Sequence, residues 1–236
     1  MIQLRPATIV ARFNRLPPIV RGAALMTGSG MSFALMMVLV RHVSASVHPF
    51  EAAFFRNLFG LAFMMPWLLR SGVKALATRR FGGHVMRALF GLSAMLCLFM
   101  ALSLMPLAEV TALTFAAPLF TTIGAAFVLK ERVRLRRWTA TLIGFLGVMI
   151  ILRPGMGVIS PAAPVALGAA ALMAGAFLCV RSLARTEHPA AIVLYMGLLV
   201  TPMSLIPALF VWTTPTLELL FWFLLLGLAA TGGQIL

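Results

Sequence analysis

A chain of 236 residues that is 62% hydrophobic and 10% charged, with a net charge of +14, lacks the polar surface to coat a soluble globule. Its mean hydropathy is +1.05, and its apolar stretches are continuous rather than alternating, which points to membrane helices and away from a β-barrel. The positives sit between apolar segments, so they are read as topology and contact with anionic headgroups, not as nucleic-acid binding.

A spanning helix needs about 20 mainly apolar residues. In chain order, eight segments qualify: 22–42, 49–69, 83–104, 108–129, 138–152, 164–181, 190–211 and 217–236. The fifth is short, with 15 residues between Arg137 and Arg153. At about 1.5 Å per residue it needs snorkelling arginines or a thinned bilayer to span. Val43-Ser44-Ala45 looks like a small-residue cleavage site. The apolar run before it exceeds the roughly 7–15 residues of a signal core, so an uncleaved first span is expected.

The basic residues test this assignment. Fifteen fall on one side: four before span 1, four between spans 2 and 3, five between spans 4 and 5, and Arg181 with Arg185. Only Arg41 and Arg153 fall on the other, while Arg56 and Arg87 lie within spans. Such a bias places the N-terminus in the cytoplasm. Residues 1–21 are then a basic cytoplasmic tail.

The chain also repeats itself. Sliding it by 140 positions aligns 28–58 with 168–198 and gives seven identities in 31 positions, including Val40-Arg41 on Val180-Arg181 and His48-Pro49 on His188-Pro189. Five spans separate the copies, so they cross the membrane in opposite directions. Inverted repeats of this kind recur in secondary transporters, with the substrate site near the midplane.

Ionisable groups within spans are the functional candidates. Arg56 lies about 10 Å into span 2 and is expected to face the bundle interior or a water-filled cavity, where a guanidinium binds a carboxylate or phosphate. The plainer alternative is an arginine that snorkels outward or pairs with an acid. Glu109 opens span 4, as a dipole-stabilised acid, a partner for Arg56 or a proton-coupling carboxylate. Glu51 is five residues from Arg56 and does not share its helix face. Arg87 lies one turn inside span 3, where it snorkels or lines the mouth of a pathway. Glu131 is expected in exposed ion pairs with Arg134 or Arg136. Pro118 is the expected hinge, with Thr111, Thr114 and Thr121 as nearby polar groups. Tyr195 and Gln234 are further hydrogen-bonding candidates. Gly28, Gly30, Gly91, Gly124, Gly144, Gly147, Gly168 and Gly175 are read as close-packing positions. Cys97 and Cys179 lie in apolar segments as packed thiols.

Several local stretches carry a family resemblance. Phe55-Arg56-Asn57 follows His48-Pro49, span 3 opens with Arg87-Ala88-Leu89, and Met105-Pro106-Leu107-Ala108 closes it. Then come Ala117-Pro118-Leu119-Phe120, Leu129-Lys130-Glu131-Arg132-Val133, and Trp138 before Ile143-Gly144-Phe145-Leu146-Gly147-Val148. This order resembles the drug/metabolite transporter superfamily, in particular its EamA-type members. The resemblance covers 22–153 as one five-helix unit and 164–236 as three helices of a second, inverted unit. It implies ten helices in two units, an inner-membrane location, and secondary transport by alternating access of small metabolites such as amino acids. Carrying the repeat offset past residue 153 puts the end of a second unit near 293, so about 55–60 residues are expected to be missing. The alternative is a transport-inactive truncated relative or a regulatory helix bundle.

The substrate-binding residues expected are Arg56, Glu109, Thr111, Thr114, Arg87 and Tyr195. A membrane enzyme is disfavoured: there is no Asp, the four histidines are scattered, and no metal-ligand spacing or phosphate loop occurs. No cofactor and no metal are expected. The partners expected are the lipid bilayer and a small-molecule solute, with no nucleic acid and with a homodimer left open.

Overall fold

In lipid every backbone N–H and C=O must be satisfied within the protein, so apolar runs of this length become helices. The computed structural model describes residues 17–71, 78–128, 135–152 and 160–235, and all of its regular structure is helical. The elements are α1 (Pro18–Val43), α2 (Pro49–Ser71), α3 (Phe81–Leu104), α4 (Leu107–Thr114), α5 (Ala117–Phe127), α6 (Leu135–Leu152), α7 (Ala163–Leu183), α8 (Pro189–Leu209) and α9 (Leu217–Ile235). Together they are the eight spans expected, with α4 and α5 sharing the fourth. Five spans are long and apolar enough to cross a membrane on their own: α1, α3, the α4–α5 pair, α7 and α8. The fifth expected span, α6, begins three residues earlier than expected and has 18 residues, about 27 Å.

The fourth span is not one helix. The N–H groups of Phe115 and Ala116 bond back to Ala112 and Leu113, a tightened turn that ends α4. Pro118, in the first turn of α5, has no N–H to offer the Thr114 carbonyl, and its ring crowds that carbonyl. The break therefore precedes the proline by a turn. Elsewhere Pro66, Pro202 and Pro207 sit inside helices that continue past them.

Two sets of bonds give the helix directions. Arg41, near the end of α1, donates to the carbonyls of Leu102 and Met105 at the end of α3. Arg80, just before α3, donates to the carbonyl and hydroxyl of Ser182 near the end of α7, at 2.9 and 3.0 Å. So α1 runs parallel to α3, and α7 runs against both. The packing obeys the same exchange. α1 packs on α9 as α7 packs on α3; α2 packs on α9 as α8 packs on α3; α2 and α8 pack on each other. Swapping α1 with α7, α2 with α8 and α3 with α9 maps this list onto itself. The chain is thus one five-span unit followed by part of an inverted second unit.

The main core lies where α1, α2, α3 and α9 meet, around Val40, Phe99, Leu102, Phe223 and Leu226, all fully buried. Phe55 stacks on Phe223 with ring centroids 4.5 Å apart. The small-residue expectation holds at some positions and fails at others. A Cβ on Gly91 would meet Met196 and one on Gly175 would meet Phe90, while Gly124 faces Leu178. At Gly30, Gly144, Gly147 and Gly168 an added Cβ would meet nothing within 4 Å among the described residues, so no tight contact there requires a glycine. A close approach to backbone occurs at Gly227, outside the expected set, whose added Cβ would stand 2.6 Å from the Cβ of Phe59 and 3.1 Å from the nitrogen of Gly60.

Candidate functional site

A cavity of about 340 Å³ opens between α1, α2, α3, α7 and α8. Its size is at the lower end of small-molecule sites, which run roughly 300–1,000 Å³. The wall is mostly thioether and aromatic carbon. Met36 and Phe33 come from α1, Met95 and Phe99 from α3, Met173 and Phe177 from α7, and Met196 from α8. Gly91 and Ala94 leave the α3 side open. Among the described residues no acid lines it, and its charged lining groups are Arg56 and Arg87.

The two guanidiniums enter from opposite ends. Arg56 is seven residues into α2 from the Arg41 end of the bundle, and Arg87 six residues into α3 from the Arg80 end. At about 1.5 Å per residue each lies roughly 9–10 Å deep, one on either side of the midplane. Arg56 donates through Nη1 to Oδ1 of Asn57 at 2.6 Å. Its Nε is buried with no partner among the described residues, as are Nε and Nη1 of Arg87. No carboxylate among the described residues forms an ion pair with either. Arg56 also borders a small void of about 20 Å³ with Asn57, Gly60 and Thr231, and Met196 stands between this void and the larger cavity.

Asn57 is held in turn. Its Nδ2 donates to the Ser204 hydroxyl at 3.2 Å, and that hydroxyl donates to the Thr201 carbonyl at 2.9 Å. The Thr201 hydroxyl donates to Gly197 at 2.7 Å within α8. These buried polar groups tie α2 to α8 beside the cavity. Asn57 stood in the Phe-Arg-Asn stretch, but its partners lie in the other unit and had no local signal.

The remaining expected residues lie elsewhere. Glu109 is exposed in the first turn of α4 and stands apart from Arg56. Thr111 donates to the Leu107 carbonyl at 2.7 Å and Thr114 to the Thr111 carbonyl at 2.7 Å, so both hydroxyls serve their own helix. Thr121 does the same with Ala117. Tyr195 stacks on His84 with centroids 4.3 Å apart, at the Arg80 end and outside the cavity wall. Glu131, Arg134 and residues 1–16 lie outside the described residues, as does the side chain of Gln234.

A polar cluster lies at each end of the bundle. At the Arg41 end, fully buried Glu51 accepts from the Thr213 backbone N–H and hydroxyl at 3.1 and 2.7 Å. This stitches α2 to the α8–α9 loop. At the Arg80 end, Thr78 donates to Glu187 at 2.8 Å, and His84 Nε2 stands 3.9 Å from the other carboxylate oxygen. Arg80 adds Thr186 at 3.2 Å to its two bonds with Ser182. The His84–Glu187 approach was invisible in the sequence, because the two residues belong to different units. No group of three or more His, Cys, Asp or Glu able to hold a metal occurs among the described residues.

Comparisons with known proteins agree with this architecture. The profile of the EamA-like transporter family matches residues 20–153. A riboflavin transporter of Vibrio cholerae is 32% identical over 211 residues, covering 88% of this chain and 70% of that protein. An S-adenosylmethionine uptake transporter of Rickettsia prowazekii is 31% identical, covering 78% of this chain and 64% of its own length. A pseudopaline exporter of Pseudomonas aeruginosa is 29% identical, covering 91% and 76%. The chain thus spans about two thirds to three quarters of these relatives. A solved protein crystal structure superposes with a TM-score of 0.64 at 20% identity, covering 90% of this chain and 78% of that one, which speaks to the fold alone. With more than half of its length matched by one family, the chain is an integral membrane protein and belongs to the EamA-like transporters of the drug/metabolite transporter superfamily.

Proposed function

We propose that this protein is a secondary transporter of a small metabolite, an amino acid or a related solute, and that the cavity between the two units is its substrate site. The observation that carries this reading is the cavity itself: an apolar chamber near the midplane, walled by both units and bordered by two intramembrane arginines. The relatives support a soluble organic solute as cargo. They include both uptake proteins and an exporter, so they favour neither direction. Alternating access would part the Glu51–Thr213 contact in one state and the Arg80–Ser182 and Thr78–Glu187 contacts in the other. Pro118 and the break before it supply a hinge in the fourth span. The 15-to-2 bias of basic residues supports a cytoplasmic Arg80 end and N-terminus.

The test is solute flux in proteoliposomes containing the purified chain. Labelled amino acids, riboflavin and S-adenosylmethionine form the first panel. Saturable uptake of one, reduced at least tenfold by Arg56→Ala at equal protein incorporation, supports the reading. Uptake equal to protein-free liposomes across the panel, from a cooperatively folded sample, counts against it. Wild-type flux in Arg56→Ala removes Arg56 from the site.

A further inference from the structure

We propose that the substrate class of this cavity is an organic anion: one or two carboxylate or phosphate groups carried on an apolar body. The inference rests on the transporter reading and adds the charge of the cargo. Two features of the cavity carry it. First, Arg56 and Arg87 border the same chamber, and no lining residue among those described is acidic. Each keeps buried N–H donors without partners among the described residues, two on Arg87 and one on Arg56. Leaving a charged donor unsatisfied in a low-dielectric site is costly, and an anion in the chamber, toward which the guanidiniums turn, offsets it with charge-assisted, bidentate bonds.

Second, the acids among the described residues lie elsewhere. Glu51 is held by Thr213, Glu187 by Thr78, and Glu109 and Glu218 are exposed in the first turns of α4 and α9. Internal neutralisation of the pair is therefore absent among the described residues. The wall between the arginines is built from Met and Phe side chains, which adapt to flat or irregular apolar bodies. A cationic cargo would meet two like charges, and a small inorganic anion would leave that apolar wall unused. The placement of the arginines on either side of the midplane lets Arg56 hold the anion nearer one face and Arg87 hold it nearer the other.

The anion has two sources, a soluble metabolite or the headgroup of an anionic lipid entering from the bilayer. The proposal assigns the soluble one. The experiment uses the full chain in neutral detergent, with Cys97→Ala and Cys179→Ala, and Met196→Cys as a reporter in the cavity wall. Labelling rates are measured with a sulfonate-bearing and a trimethylammonium-bearing methanethiosulfonate, each normalised to its rate with free mercaptoethanol. The anionic reagent is expected to be favoured about tenfold or more, from two unit charges within a partly desolvated cavity. Arg56→Gln and Arg87→Gln each lower that preference and together abolish it. Arg56→Lys retains it, which separates loss of charge from loss of fold. A ratio near one, or a preference for the cation, overturns the proposal.

Two further arms name the cargo. 2-Naphthoate is expected to slow labelling saturably, whereas 2-naphthamide, of the same size and uncharged, is not. Equal protection by both, or protection by neither, overturns the proposal. In nanodiscs, labelling is expected to be the same in phosphatidylcholine and in a phosphatidylglycerol mixture. Loss of labelling with phosphatidylglycerol overturns the assignment to a soluble anion and gives the site to a headgroup. Flux is not the readout here. A chain that keeps the charge preference but carries no solute fails the transport reading alone, and one that transports without charge preference fails this inference alone.

Discussion

Replacing Gly227 by alanine adds one carbon where α9 crosses α2. That carbon would lie 2.6 Å from the Cβ of Phe59, 3.2 Å from its carbonyl carbon and 3.1 Å from the backbone nitrogen of Gly60. None of these atoms is the far end of a flexible side chain, so no rotamer change relieves the clash. Normal carbon contact is about 3.5–4.0 Å, and the two helices must part by roughly 1 Å. A gap of that size forfeits about a quarter to a half of each dispersion contact along the seam, which for some twenty contacts of about 0.15 kcal/mol is on the order of 1 kcal/mol. Backbone distortion brings the overpacking cost to about 1–3 kcal/mol, against a helix-propensity gain of about 0.5–1 kcal/mol. Gly144, with nothing within 4 Å among the described residues, is the control: Gly144→Ala keeps the propensity gain and meets none of them. At about 2–4 °C per kcal/mol, Gly227→Ala is expected to melt several degrees below wild type in detergent, and Gly144→Ala at or slightly above it. Equal melting temperatures for the two variants would refute the α2–α9 contact.

Three more variants probe other parts of the molecule. Glu51→Ala leaves the Thr213 N–H and hydroxyl without their acceptor and is expected to cost about 1–3 kcal/mol, with faster proteolysis of the α8–α9 loop. Glu51→Gln keeps one acceptor oxygen and should be milder, and indistinguishable behaviour of the two would sink the capping role. Pro118→Ala restores a donor for the Thr114 carbonyl and is expected to raise the melting temperature while slowing solute flux; unchanged flux removes the hinge. Thr186→Cys, exposed at the Arg80 end, is expected to react with an impermeant maleimide only after cells are permeabilised, and labelling of intact cells would invert the proposed topology.

The positions that were readable from residues alone share one cause. Arg56 and Arg87 stood out because a charge inside an apolar run is costly enough to need an interior destination. Their convergence on one cavity was not readable, because it depends on how α2 and α3 lean against α7 and α8. Pro118 announced a weak point in the fourth span, but the break falls at Phe115 and Ala116, since the lost bond belongs to the carbonyl four residues back. Thr111 and Thr114 looked like free polar groups, yet a hydroxyl in a helix finds its own carbonyl first. The glycine pattern shows no tight contact at Gly144 and Gly147 among the described residues, while Gly227, outside that pattern, meets the backbone of α2.

Fold class, span number and the inverted repeat were already present in the order of apolar runs, the charges between them and the 140-residue echo. The reason is that a bilayer imposes its thickness and dielectric on every segment separately, so each span is specified locally. The site was settled by packing. Asn57 meets Ser204, His84 approaches Glu187, and Met196 faces Arg56 and Gly91 only when the two units dock. Those pairings join residues from different units, and no local spacing encodes which faces of two apolar helices will meet.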